Sequence, residues 1–153
     1  IRDIFDSPAY SGSYDRSLAA IEQAIDQYPS IQIVIDLHRD SILTDDGQAY
    51  KTSCTINGEE MAQLMFVVGT DDGGLTHPNW QDNLNYVTGL QYKLNRAYPG
   101  LMRPVNLRTQ RFNQHVRAGS MLIEVGSSGN TMPEALAAIR LFGQTLADDL
   151  NDV

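Results

Sequence analysis

Ile31-Gln32-Ile33-Val34-Ile35-Asp36-Leu37 is the stretch on which the fold turns. It is too short and too rich in β-branched residues for a helix. Its almost wholly apolar character is that of a central strand covered on both faces. Upstream, Leu18, Ile21, Ile25 and Tyr28 recur at helical spacing from about Tyr14, and Pro29 ends the segment. Downstream, Gln63 to Val68 reads as a second apolar strand closed by Gly69, and Lys51 to Ile56 and Pro104 to Leu107 read as shorter ones. Trp80, Leu84, Val87, Leu94 and Tyr98 form the stripe of a long helix that stops before Pro99-Gly100. Ser120 to Val125 is a further strand. Thr131-Met-Pro-Glu134 then opens a last helix as a capping box with Pro in its first turn, and Ala135, Ile139, Phe142, Leu146 and Leu150 are its stripe. Ile1 to Phe5 is expected as a short strand. Strands alternating with helices predict an α/β fold, a mixed, mostly parallel sheet flanked by helices, in one domain over residues 1–153.

Composition narrows the partners. Lys+Arg 11 against Asp+Glu 19 leaves a net charge of −8, which excludes nucleic acid or an anionic membrane surface as the main partner. Cys54 alone supports neither a disulfide framework nor a thiolate-rich zinc site. No apolar run approaches a membrane span, and no signal peptide is present. The sequence starts at Ile1 rather than Met, as expected of a processed or excised domain.

Two strand ends carry the chemistry. His38 follows the first apolar strand in Ile35-Asp-Leu-His-Arg-Asp-Ser41, and Glu124 lies inside another in Leu122-Ile-Glu-Val-Gly126. Sites in open α/β sheets form at the carboxyl ends of strands. A glutamate in an apolar strand is unfavourable unless it is paired, protonated or metal-linked. The alternatives are a hydrogen-bonded strand-end histidine and a buried ion pair between Glu124 and Arg39 or another arginine. Alternation along the strand puts Asp36 and His38 on one face. Arg111, Asn113 and Gln114 fall in a loop-like stretch whose fork and amide groups suit a peptide or sugar, or else lock the loop itself. His38-Arg39-Asp40 matches the opening of a kinase catalytic loop, but the Asn that loop needs is Asp45 here. Gly126-Ser-Ser-Gly-Asn130 lacks a P-loop lysine and reads first as a tight strand-to-helix turn.

These residues sit in stretches that resemble a known family. Tyr10-Ser-Gly-Ser-Tyr-Asp-Arg-Ser17, Ile35-Asp-Leu-His-Arg-Asp-Ser41, Val68-Gly-Thr-Asp71, His77-Pro-Asn-Trp80, Arg111-Phe-Asn-Gln114 and Leu122-Ile-Glu-Val-Gly-Ser-Ser-Gly-Asn-Thr131 are similar to stage II sporulation protein P. That family comprises cell-wall hydrolases of endospore-forming bacteria, related to zinc-dependent N-acetylmuramoyl-L-alanine amidases.

The resemblance implies an amidase-like three-layer sandwich and a Zn2+ cofactor. It makes His38 one metal ligand and Glu124 the general acid/base. Arg39, Arg111, Asn113 and Gln114 are the expected substrate-binding residues. The expected reaction is cleavage of the amide between N-acetylmuramic acid and L-alanine during engulfment, with endopeptidase action on crosslinks also credited to the family. Peptidoglycan is the implied partner, together with the sporulation lytic transglycosylase, stage II sporulation protein D. The implied location is extracytoplasmic, at the sporulation septum, with a membrane anchor outside this segment. The family's first zinc ligands, a His and a Glu, lie before the position of Ile1, so the domain is expected to be N-terminally incomplete. A catalytically inactive wall-binding or scaffold domain of the same shape is the alternative expectation.

Overall fold

The computed structural model describes residue 1 and residues 3–151. In chain order the elements are α1 (Ser13–Gln27), β1 (Ile35–Asp40), β2 (Ser53–Ile56), β3 (Glu59–Ala62), β4 (Leu64–Gly69), α2 (Trp80–Ala97), β5 (Asn106–Arg108), a 3-10 turn at Gln114–Val116, β6 (Met121–Ser127) and α3 (Met132–Asn151). Four strands form one sheet in the order β1-β6-β4-β5, and β2 and β3 form a separate hairpin. β1 and β6 are parallel, as are β4 and β5, whereas β4 and β6 run antiparallel. The fold is therefore α/β with a mixed sheet flanked by helices.

α2 and α3 cover one face of the sheet. Every residue of β4 is buried, and Leu64, Phe66 and Val68 point into this side with Met121 and Ile123 of β6. Leu90 and Leu94 of α2 and Phe142 of α3 meet them, and the Phe66 and Phe142 rings stand edge to face at 6.0 Å. The capping box holds as expected. The Thr131 amide donates to Glu134 Oε2 at 2.9 Å, and the Glu134 amide reaches Thr131 Oγ1 at 3.5 Å.

α1 lies over the other face, where Met65, Val67 and Leu122 form a much smaller cluster with Phe112. Between α1 and the chain from Ile31 to His38 is a cavity of about 570 Å³ with walls including Ile21, Ile25, Ile33 and Ile35.

Three expectations change. Ile31 to Val34 precede β1 and are not in a strand, and β1 is an edge strand with Leu37 61% exposed. Its apolar residues line the cavity and the sheet margin instead of being covered by strands on both sides. Residues 3 and 4 are irregular and a turn begins at Phe5, so no strand forms there, while residue 2 lies outside the described residues. Finally, Glu59–Ala62 is a strand that periodicity did not mark. It exists because Asn57 and Gly58, both at positive φ (53° and 84°), close a tight hairpin with β2.

Candidate functional site

Parallel pairing of β1 with β6 sets His38 beside Glu124 in register. Asp36 lies two residues before His38 on the same face, and its Oδ1 is 3.0 Å from His38 Nε2. This contact orients the imidazole and, ahead of the opposing effect of burial, raises its pKa above 6.5. His38 keeps 35% of its side chain exposed.

Just past the pair the register slips by one residue, so that Asp40 faces Ser127. Gly126 absorbs the extra residue at φ 73°, where a Cβ would lie 2.6 Å from Asn130 Oδ1 and 2.8 Å from Ala62. The bulge falls directly beyond Glu124, and the pairing resumes at Asp40 and Ser127.

Glu124 makes no ion pair among the described residues, and its Oε2 is buried without a hydrogen-bond partner. Burial raises its pKa above 4.5, with the neighbouring His38 opposing. Its neutral partner on the other side is Met65 of β4, in register with it. The ion pair with Arg39 considered from sequence is absent. Arg39 donates instead to the carbonyls of Ser127 at 2.8 Å and Ser128 at 3.3 Å, and to that of Asn130. It thereby fastens the turn that follows β6. The second aspartate near His38, Asp40, is bound to Arg103 at 2.8 Å, so Asp36 alone orients the imidazole.

Tyr14, in the first turn of α1, closes the site from above. Its ring lies nearly parallel to that of His38, with centroids 6.4 Å apart and an interplanar angle of 21°. Phe112 meets it edge-on at 5.7 Å. Sequence reading passed over Tyr14 because no periodicity distinguishes it, and it passed over Arg103 for the same reason.

The remaining sequence candidates serve the framework. Asn113 Nδ2 donates to the Tyr14 carbonyl at 2.7 Å and to Ser17 Oγ at 3.1 Å. Gln114 is buried, accepts the Gly69 amide at 2.9 Å and donates to the Val67 carbonyl at 2.8 Å. Phe112 and Asn113 take up the left-handed region at φ 49° and 56° so that this loop can grip both α1 and β4. Arg111 Nη1 donates to the Thr76 carbonyl at 3.1 Å. Arg111, Asn113 and Gln114 thus stand together in the loop that supports Tyr14, whereas only His38 and Glu124 meet at the strand ends. The Gly126–Asn130 stretch is a tight turn. A Cβ at Gly129 would lie 2.6 Å from the Tyr50 backbone, so the turn is pressed against a neighbouring segment.

Among the described residues no group of three His, Cys, Asp or Glu residues could hold a metal ion. His38 and its flanking carboxylates therefore do not amount to a zinc site with three protein ligands.

The fold and site define an α/β protein with a histidine–carboxylate pair at a sheet edge. The chain belongs to the stage II sporulation protein P family, whose model matches residues 1–147. It is similar to Stage II sporulation protein P of Bacillus subtilis (strain 168), 29% identical over 148 residues that cover 91% of this chain and 34% of that protein. The chain thus spans about a third of the length of that curated relative. No solved structure matches it. Membership places the chain among sporulation proteins. Among the described residues no helix is long and apolar enough to cross a membrane.

Proposed function

We propose that this chain carries the acid/base half of a peptidoglycan hydrolase that cleaves the amide between N-acetylmuramic acid and L-alanine during sporulation. The observation that carries the reading is the half-buried Glu124, whose Oε2 is buried and unpartnered among the described residues, beside the aspartate-held His38. A carboxyl with a raised pKa exchanges its proton closer to neutral pH, where acid/base catalysis is most effective. Glu124 would take the proton of the attacking water and hand it to the departing amine. The mixed α/β fold and the family both accord with such a hydrolase. Zinc, when bound, would supply a water of lowered pKa and polarise the scissile carbonyl. His38 would be one of its ligands, with the others contributed from outside the described residues.

In the same reading the protein works outside the cytoplasm at the sporulation septum, on peptidoglycan, together with the lytic transglycosylase of the engulfment machinery. Any membrane anchor would lie outside residues 1–153. Arg39 and the Arg111–Gln114 loop would act on substrate by shaping the site walls, since their polar groups already bind the chain itself.

The test is Glu124→Gln in the full-length protein carrying these residues. Release of soluble fragments from dye-labelled cell wall should fall by roughly 10²–10⁴-fold with zinc content unchanged. Unaltered release would remove Glu124 from the role. The incomplete ligand set favours a second reading, a wall-binding scaffold. That reading holds if the zinc-loaded wild-type protein co-sediments with cell wall and releases nothing.

A further inference from the structure

We infer that Tyr14 contacts the substrate, its phenolic O–H donating to the carbonyl oxygen of the amide on which Glu124 acts; the inference rests on the hydrolase reading above. The ring is fixed on several sides. It stacks on His38 at 6.4 Å, takes the edge of Phe112 at 5.7 Å, and its backbone carbonyl is held by Asn113 Nδ2 at 2.7 Å. Arg16, also in the first turn of α1, ties down the preceding loop. It donates to the Phe5 carbonyl at 2.7 Å, to that of Ser11 at 3.3 Å and to that of Ala9. A ring this constrained aims its hydroxyl in one direction, yet the hydroxyl makes no hydrogen bond with any described residue.

The surroundings say what the hydroxyl should bind. Tyr14, Asp36 and His38 line the same cavity. Asp36 is an acceptor and already holds His38, and Asp6 is a second acceptor. Tyr14 is a neutral donor in this lining together with Ser13 and Ser17. Ser17 Oγ is already engaged by the Tyr14 carbonyl and Asn113. A substrate acceptor, a carbonyl oxygen, is the natural complement of the Tyr14 hydroxyl. Further along α1 and at the start of β1, Ile21, Ile25 and Ile35 make the rest of the wall apolar. An amide flanked by small apolar groups fits such a wall, with its carbonyl toward Tyr14 and its methyl groups toward the isoleucines. An oriented donor of this kind matters most as the carbonyl oxygen gains charge.

The experiment compares Tyr14→Phe with Tyr14→Ala in the full-length protein, using labelled cell wall as substrate and the imidazole NMR signal of His38 as a second readout. Removing one such donor should lower kcat/KM by about 10²-fold in Tyr14→Phe, while the stacked ring leaves the His38 signal in place. Tyr14→Ala should lose at least as much activity and also move the His38 signal. Wild-type kcat/KM in Tyr14→Phe overturns the inference, as does a Phe variant whose lost activity is matched by a displaced His38 signal. Failure of the hydrolase reading itself shows separately, as full activity of Glu124→Gln.

Discussion

The two faces of the sheet are built on different terms. The face toward α2 and α3 is closed: Phe66, Leu64 and Ile123 are fully buried, and aromatic rings interlock across it. The face toward α1 places polar Asp36, His38 and Glu124 among a few apolar residues, beside an open cavity. Close packing stabilises the first face and leaves no room for a ligand. The second gives up burial and holds His38 through Asp36, a contact that orients a group without filling space. The lesson is that stability and chemistry are separated across one layer of strands only a residue apart in alternation.

Substitutions should expose that asymmetry. Phe66→Ala, on the closed face, should lower stability by about 3–5 kcal/mol, read by urea denaturation, because a fully buried ring is replaced by a cavity. A loss no larger than that at Ile21 would erase the distinction between the faces. Gly126→Ala should lower stability by about 1–3 kcal/mol, since it forces a Cβ into a positive-φ bulge against Asn130 and Ala62. Because the bulge adjoins Glu124, this variant should also reduce wall hydrolysis, and unchanged hydrolysis would show that the bulge does not position the carboxyl. Ile21→Ala, which only enlarges an existing cavity, should stay within about 1 kcal/mol of wild type in the same denaturation series.

Metal uptake sharpens the contrast at the open face. The 153-residue chain alone should retain well under one zinc per chain after dialysis, read by elemental analysis, because one imidazole with its carboxylates makes a poor tetrahedral site. Tight stoichiometric zinc would assign ligands that the described geometry does not bring together.

The smallest effect belongs to His77 and His115, which meet edge to face at 6.4 Å beyond the end of β4. His77 is fully buried and neither of its ring nitrogens has a partner among the described residues. Burial first, then the neighbouring cations, holds both imidazoles below the usual 6.5; His115 and Arg111 act on His77, and Arg111 on His115, with Asp71 and Glu22 opposing. The folded state thus binds fewer protons than the unfolded one. The stability these groups contribute is present above pH 6.5 and is lost as pH falls below it toward their folded values. Denaturation at pH 7.5 and 5.5 should show wild type weakening on acidification and His77→Asn weakening less. Equal slopes would mean that the buried pair does not titrate in this range.

Much of the site was legible in one dimension. Asp36 and His38 share a face because strand side chains alternate, and the Thr131–Glu134 box fixed the start of α3 through local hydrogen bonds alone. Glu124 stood out because a carboxyl in an apolar strand needs a reason. Arg111, Asn113 and Gln114 were visible as a polar cluster. That two of them would be occupied by Tyr14, Ser17, Val67 and Gly69 was not, since those partners are distant in sequence.

The sequence by itself determined the helices, most strands, the acidic balance and the residue types capable of proton transfer, because periodicity, capping and charge are local properties. Only the tertiary structure decided that β6 runs parallel to β1 yet antiparallel to β4, that β1 stands at an edge, and that Tyr14 covers the imidazole. Strand order and the aim of a side chain depend on which distant segments exclude water together, and no single segment carries that information.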